Sequence, residues 1–213
     1  MEPLLISRTG PATDDLAAAL EAKLAPVAPT VSTPDLDWNW SDDLDAWASD
    51  LHSQIDTDRV AVCTWKAGSA PRPLAERTPD DWVLDVEAEL ATWVLAIGAA
   101  ARSCTSGGSV VVVVERPSPL DADGRTAELT VAEGLVAFTR SAALVHGERN
   151  VRVNVVTTAL FTAPDDLLGL APPLPSFPGT VKHEVAGAVR SLWSEDACGI
   201  SGTVVRADGG RSW

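Results

Sequence analysis

The amino-acid sequence predicts an α/β fold in which a doubly wound parallel sheet carries helices on both faces. Short apolar runs alternate with segments of helical periodicity along the 213 residues. The run 110–114 consists of five valines, which is typical of a strand buried on both faces. No internal repeat or linker-like stretch divides the chain, so we expect one domain over residues 1–213.

The N-terminal elements follow from apolar spacing. Leu16, Leu20 and Leu24 recur every four residues after Thr13, which is typical of a capped amphipathic helix. The following stretch is a weak strand candidate, because Pro29 interrupts it. Tryptophan, leucine and isoleucine at helical spacing predict the next helix, and an apolar run predicts the strand after it. The elements expected in this half are strands over 3–7 and 59–65 and helices over 13–24 and 40–55.

The C-terminal elements carry clearer boundary signals. Thr78 can cap a helix that has Pro79 at its first position and acidic residues in its first turn. Gly147 follows another long apolar helix, as expected of a helix end. Five prolines indicate a loop over 158–179. The elements expected in this half are helices over 79–102, 126–146 and 181–193 and strands over 110–114, 151–156 and 203–207.

Composition excludes several classes of function. The formal net charge is −14, which argues against nucleic acid or an anionic membrane as a partner, since both require basic surfaces. The three cysteines are widely spaced and the three histidines lack metal-ligand spacing, so we expect reduced thiols and no metal site. We see no signal peptide, and the apolar runs are too short to span a bilayer, which together predict a cytoplasmic protein.

Several stretches resemble the short-chain dehydrogenase/reductase family, and they lie in the family's order between residues 58 and 213. The resemblance is closest to the 3-oxoacyl-thioester reductase type and implies a Rossmann-like fold. Asn150–Asn154 carries the Arg-Val-Asn of the family's sixth strand, and Asp208-Gly209-Gly210 is similar to part of its C-terminal signature. The other matching stretches are 73–82, 108–113, 134–143, 184–186, 192–194 and 200–202.

The resemblance implies four catalytic residues, and this chain differs at each. The family uses a tyrosine as acid/base, a lysine four residues later, a serine and an asparagine. Alignment on residues 138–140 places Glu128 at the tyrosine position, Ala132 at the lysine position and Glu115 at the serine position. Glu89 falls at the asparagine position. No shift of the alignment restores the acid/base, because the chain contains no tyrosine.

The resemblance also implies a dinucleotide site at a glycine-rich turn after the first strand. The matching stretch from Ser7 to Asp14 keeps one of three glycines, Gly10. Pro11 lacks a backbone N–H, and Asp14 brings negative charge to the helix start where a pyrophosphate would lie. Trp65 is bulky enough to fill space that an adenosine needs. We therefore expect no bound cofactor.

The segment before residue 59 is shorter than the family's, so we expect a sheet shortened in its N-terminal half, without the family's third strand. Glu89, Glu115 and Glu128 would face one cleft in this alignment. They could form an acid/base cluster or a carboxylate metal site. We favour ordinary solvated acids, or acids paired with arginines such as Arg116, because a set of catalytic partners is not evident.

These observations predict a non-catalytic subunit that assembles with a catalytic short-chain dehydrogenase/reductase or with itself. The segments that form subunit contacts in the resembled family are the ones best kept here. The predicted helices 79–102 and 126–146 are apolar over more than one stripe, which indicates burial on two sides. Two alternatives are an active oxidoreductase with an atypical carboxylate-based site and a small-molecule sensor that uses the emptied pocket.

Overall fold

The computed structural model describes residues 1–27, 42–65, 70–117, 122–159 and 180–209. Within these ranges six parallel strands form one sheet in the order β2-β1-β3-β4-β5-β6, which confirms the predicted fold class. The strands are β1 Leu4–Ser7, β2 Lys23–Pro26, β3 Arg59–Cys63, β4 Ser109–Glu115, β5 Arg152–Thr158 and β6 Val204–Arg206.

Helices cover both faces of this sheet. The α-helices are α1 Pro11–Leu20, α2 Asp42–Gln54, α3 Pro79–Trp82, α4 Ala88–Ser103, α5 Thr126–His146 and α6 Ala186–Trp193. Two π-helical turns, Val83–Glu87 and Val181–Val185, directly precede α4 and α6. Short 3-10 turns occupy Leu74–Glu76, Gly147–Arg149 and Glu195–Ala197. No helix among the described ranges is long and apolar enough to cross a membrane.

Alternating strand residues build two apolar layers. On one face, Val60, Val110 and Val153 and their alternate neighbours pack with α2, α4 and α5. On the other face, Leu5 and Val111 and their alternate neighbours pack with α1 and α6. The five valines of β4 are at most 1% exposed, so this strand is buried on both sides, as its continuous apolar run predicts.

The predicted helix over 13–24 was wrong at both ends. The helix begins at Pro11 and ends at Leu20, because Glu21 adopts a left-handed conformation at φ 51°. Leu24, assigned by its spacing to the helix, belongs instead to β2 and pairs with Leu5 of β1. Pro26 ends this edge strand, a position where its missing N–H costs no ladder bond to a further strand.

The long helix after residue 78 starts as predicted and then departs from regular α geometry. Thr78 Oγ1 accepts from the Asp81 N–H at 3.2 Å, and Asp81 Oδ2 accepts from the Thr78 N–H at 2.8 Å, which completes a capping box. The π turn Val83–Glu87 then inserts extra backbone before α4. The sequence pattern predicted one continuous helix here, because side-chain spacing alone does not reveal a π turn.

The Arg-Val-Asn stretch ties β5 to the segment that leads into β6. Arg152 Nη1 donates to the carbonyls of Leu192 at 2.7 Å and Ala197 at 3.0 Å. Asn154 is fully buried, and its amide donates to the Ile200 carbonyl at 2.9 Å and accepts from the Thr203 N–H at 3.1 Å. These contacts satisfy backbone groups outside the ladder, so the motif has a structural role here.

Two predicted features lie partly or wholly outside the described ranges. Most of the weak strand candidate over 27–32 and the region of the family's third strand fall on residues 28–41. Most of the proline-rich loop falls on residues 160–179. The remaining predicted elements agree with the structure apart from shifts of one or two residues at their ends.

Candidate functional site

The carboxyl ends of β1 and β3 form the topological switch point of the sheet, and we refer to this region as the crevice. These strands are neighbours in the sheet, but the chain leaves β1 for α1 on one face and leaves β3 for α4 on the opposite face. Open α/β sheets bind their ligands where the connections diverge in this way. The residues around the ends of β1 and β3 therefore define the candidate site.

An ion pair between Arg8 and Glu89 lies in this crevice. Both guanidinium Nη atoms donate to the carboxylate, with distances of 2.9 Å to each Glu89 oxygen. Trp93 Nε1 donates to Glu89 Oε2 at 3.0 Å, and the Arg8 Cζ atom lies 5.0 Å from the centroid of a Trp93 ring. Glu89 and Trp93 are four residues apart on α4, which places both side chains on one helix face.

Burial strengthens this arrangement. Trp93 is fully buried, and the side chains of Arg8 and Glu89 are 29% and 13% exposed. A bidentate guanidinium–carboxylate pair that is partly removed from water is stronger than a surface ion pair, and the aromatic ring adds a cation–π contact. The three side chains thus form one fixed unit across the crevice.

The turn from β1 to α1 holds the residues aligned with the glycine-rich loop. Ser7 is fully buried, and its Oγ lies 3.2 Å from Thr13 Oγ1. Gly10 precedes the helix and Pro11 is its first residue, so the first helical position offers no N–H. Asp14 is exposed in the first turn of α1, where it brings its negative charge to the helix start.

Cys63, at the end of β3, is not a reactive thiol. Burial raises the pKa of the Cys63 thiol, and the charge of Glu115 adds to the rise. Hydrogen bonds with the Trp65 backbone and the Ser7 side chain act in the opposite direction without cancelling the effect. The thiol is therefore protonated at neutral pH, and it packs as an apolar residue in the core beside α1 and α6.

Glu128 and Ala132, aligned with the family's tyrosine and lysine, lie on α5. Glu128 lies between two arginines, 3.8 Å from Arg77 Nη2 and 3.7 Å from Arg125 Nη1. The Arg77 side chain is 4% exposed and also donates to Asp85 Oδ2 at 2.5 Å. Ala132 is 1% exposed and packs in the core. These arginines make Glu128 part of a charge network that links α5 to the start of the long helix.

Glu115, aligned with the family's serine, is half-buried at the end of β4. Its neighbour Arg116 donates to Glu133 at 2.7 Å, so the predicted partner arginine pairs with a different acid. The prediction that the acids pair with arginines holds for Glu89 and Glu128, although their partners are not Arg116. Throughout the described ranges, histidine, cysteine and acidic side chains form no group of three that could hold a metal ion.

Sequence reasoning missed the three arginines that organise this region. Arg8 lies 81 positions from Glu89, and Arg77 lies in the loop before α3. The signal that could have identified Arg8 is its position directly after a buried strand, at the edge where the acidic candidates were expected. Arg125 could have been recognised from its spacing of three residues from Glu128.

Comparison with known proteins agrees with this topology. The sequence model of the enoyl-(acyl carrier protein) reductase family matches residues 5–166. No curated protein matches the chain in sequence. A solved structure of a blue fluorescent protein from a metagenomic library, in complex with NADPH, is similar with a TM-score of 0.65 and 20% identity. The alignment covers 99% of this chain and 98% of that one, and it shows a shared fold.

The family match spans most of the chain and includes both the β1–α1 turn and the residues that line the crevice. This match and the order of the parallel strands together assign the chain to a family. The chain belongs to the short-chain dehydrogenase/reductase family, within the group described as enoyl-(acyl carrier protein) reductases.

Proposed function

We propose that this chain is a non-catalytic member of its oxidoreductase family that contributes a structural subunit to an assembly. One observation carries the proposal: the sequence contains no tyrosine, and the aligned acid/base position holds Glu128 between two arginines. The aligned lysine position holds the buried Ala132. A reductase of this type needs a proton donor beside the carbonyl oxygen, and neither aligned position holds the phenol or the ammonium group that the family uses.

The residues of the crevice do not fit a nicotinamide dinucleotide. Such a cofactor needs close backbone approach and free N–H groups at the start of α1, and Pro11 removes one of them. The guanidinium–carboxylate pair of Arg8 and Glu89 lies in the same crevice. Asp14 repels a pyrophosphate at the helix start. These features support a subunit without hydride chemistry.

The surface of α4 and α5 that faces away from the sheet supports a role in assembly. Leu144 and Val145 are 83% and 66% exposed. A groove of about 520 Å³ lies between α2, α4 and α5, with Val94, Leu95 and Phe138 among its lining residues. Exposed apolar surface of this kind is typical of interaction sites.

A related subunit with less negative charge is the partner that this surface suits best. Two copies of a chain with a net charge of −14 repel each other, and a less acidic partner relieves that repulsion. Members of the family typically form oligomers, so a catalytic member that presents a similar apolar face is the expected occupant. A second copy of this chain is the alternative occupant, and sedimentation velocity distinguishes the two.

The proposal is tested by assaying the purified chain for oxidation of NADH and NADPH with 3-oxoacyl thioesters, enoyl thioesters and simple ketones. We expect no turnover above the rate without protein. A catalytic relative assayed under the same conditions serves as the positive control.

The same assay tests the alternative, an oxidoreductase with a carboxylate-based site. Turnover by the wild-type chain that is lost in Glu128→Gln, while Glu133→Gln retains it, would contradict the proposal and identify Glu128 as the acid/base. Glu133 provides a matched control because it is a surface acid on the same helix, paired with Arg116.

A further inference from the structure

The Arg8–Glu89 pair has the geometry of a bound anion. A guanidinium group presents two parallel N–H donors, and this fork accepts a carboxylate or a phosphate with the same geometry. In this protein both donors reach the two oxygens of Glu89 at 2.9 Å. The Glu89 carboxylate therefore takes the place that two oxygens of an anionic ligand would take on Arg8.

The surroundings hold Glu89 in that place. Trp93 Nε1 donates to the same carboxylate at 3.0 Å, and the fully buried Trp93 ring lies beneath the Arg8 guanidinium. Glu89 and Trp93 both lie on α4, whereas Arg8 follows β1. The Arg8–Glu89 pair therefore bridges the two sides of the crevice. An incoming anion must displace a carboxylate that is already fixed by three hydrogen bonds.

We propose that Arg8 is the anchor of a latent site for a phosphate or pyrophosphate group, and that Glu89 occupies this site as an internal ligand. In this proposal two features keep anions out of the crevice. One is the chain's own Glu89 carboxylate, and the other is the loss of the glycine-rich loop. The inference rests on the proposed function in one respect, namely that the wild-type crevice holds no dinucleotide.

The proposal is tested by measuring the binding of inorganic pyrophosphate to the full chain by calorimetry, with thermal melting as a second readout. We expect no binding by the wild type at millimolar concentrations. We expect Glu89→Gln to bind at least about tenfold more tightly than the wild type, because the variant frees a charged donor pair from its anionic partner. Glu89→Asn, whose shorter amide cannot reach Arg8 in the same way, provides a second variant if Glu89→Gln does not fold.

Two controls separate this effect from a general change in charge. Glu133→Gln removes one negative charge from the surface pair with Arg116 and should bind no more tightly than the wild type. The double variant Arg8→Gln with Glu89→Gln should lose the gained affinity. Equal binding by the wild type and Glu89→Gln, no binding by either Glu89 variant, or an equal gain in Glu133→Gln would each overturn the proposal.

A parallel titration with NADPH distinguishes the source of the phosphate group. We expect the gain for NADPH to be smaller than for pyrophosphate, because a free anion can reach Arg8 without lying at the start of α1, where Pro11 and Asp14 remain. An equal gain would still support the anion site and would identify a dinucleotide as its ligand. None of these measurements depends on turnover, so a failure of the anion-binding prediction is distinguishable from a failure of the proposed function.

Discussion

Glu128, which aligns with the family's tyrosine, has an arginine on either side. A tyrosine at this position could donate a proton, whereas the carboxylate lies between Arg77 and Arg125 and balances their charge. Arg77 is almost completely buried and pairs with both Asp85 and Glu128, so loss of Glu128 removes part of the negative charge that compensates it. The acid at this position therefore has a structural explanation that does not depend on catalysis.

This environment predicts that Glu128→Tyr combined with Ala132→Lys will not restore hydride transfer. The turn from Ser7 to Asp14 is unchanged in the double variant, so under the proposed function the variant still binds no dinucleotide. The variant should also be less stable than the wild type, since it places a lysine at a buried position and removes the acid beside Arg77. NADPH oxidation and urea unfolding measure the two effects.

Glu128→Gln provides the comparison for stability, because it removes the same charge without adding a buried lysine. Hydride transfer by the double variant would contradict the expectation and would show that the turn before α1 still binds a dinucleotide.

At the scale of elements, arginine side chains connect neighbouring elements by donating hydrogen bonds to the carbonyls at helix ends. Arg149 donates to the carbonyls of Arg102 at 2.5 Å and Cys104 at 2.7 Å, and Arg190 donates to the Ala19 carbonyl at 2.8 Å. Together with Arg152 of β5, which donates to the Leu192 carbonyl at the end of α6, these arginines satisfy carbonyls that helix ends leave without a partner. Positive charge at a helix C-terminus also interacts favourably with the helix dipole.

Asn154 has a comparable role between β5 and β6, and we predict that Asn154→Ala destabilises the fold. The change removes two hydrogen bonds to backbone groups of the Ile200–Thr203 segment, which should lower the free energy of unfolding by about 2 kcal/mol. Urea unfolding followed by circular dichroism measures this difference. Ser141→Ala, at an exposed position on α5, should change the free energy by less than about 0.5 kcal/mol. Equal midpoints for Asn154→Ala and the wild type would refute the structural role of this residue.

At the scale of the whole molecule, charge and apolar surface act in opposite directions. The exposed leucine and valine at the end of α5 favour association, whereas the net charge of −14 opposes the pairing of identical chains. A partner with complementary apolar surface and less negative charge satisfies both conditions.

We therefore predict that the chain is not a stable monomer, and that it assembles when co-expressed with any dehydrogenase encoded beside it. Sedimentation velocity of the chain alone and of the co-expressed pair measures this. Leu144→Asp should weaken association, because it places a charge on the apolar surface of α5. Ala18→Asp adds the same charge at an exposed position on α1, on the opposite face of the sheet, and should have little effect. A monomer in both experiments would be incompatible with an assembly role.

Local patterns in the sequence determined the fold class and most of the elements. The valine run of β4 predicted a strand buried on both faces, and the spacing over 126–146 predicted α5 with its observed bounds. The capping signals at Thr78 and Pro79 predicted the start of the long helix. The absence of tyrosine was also readable directly from the sequence. The residues that an element buries are apolar and recur with the period of that helix or strand. These features could therefore be predicted from the sequence.

The tertiary structure alone decided which side chains meet. Leu24 fits both a helix and a strand by its spacing, and pairing of β2 with β1 decided between them. Arg8 and Glu89 are far apart in sequence, and they meet because the order of the strands brings the end of β1 beside the start of α4. Ion pairs of this kind leave no periodic trace, since either partner could pair with many other charged residues. Their assignment requires the path of the whole chain.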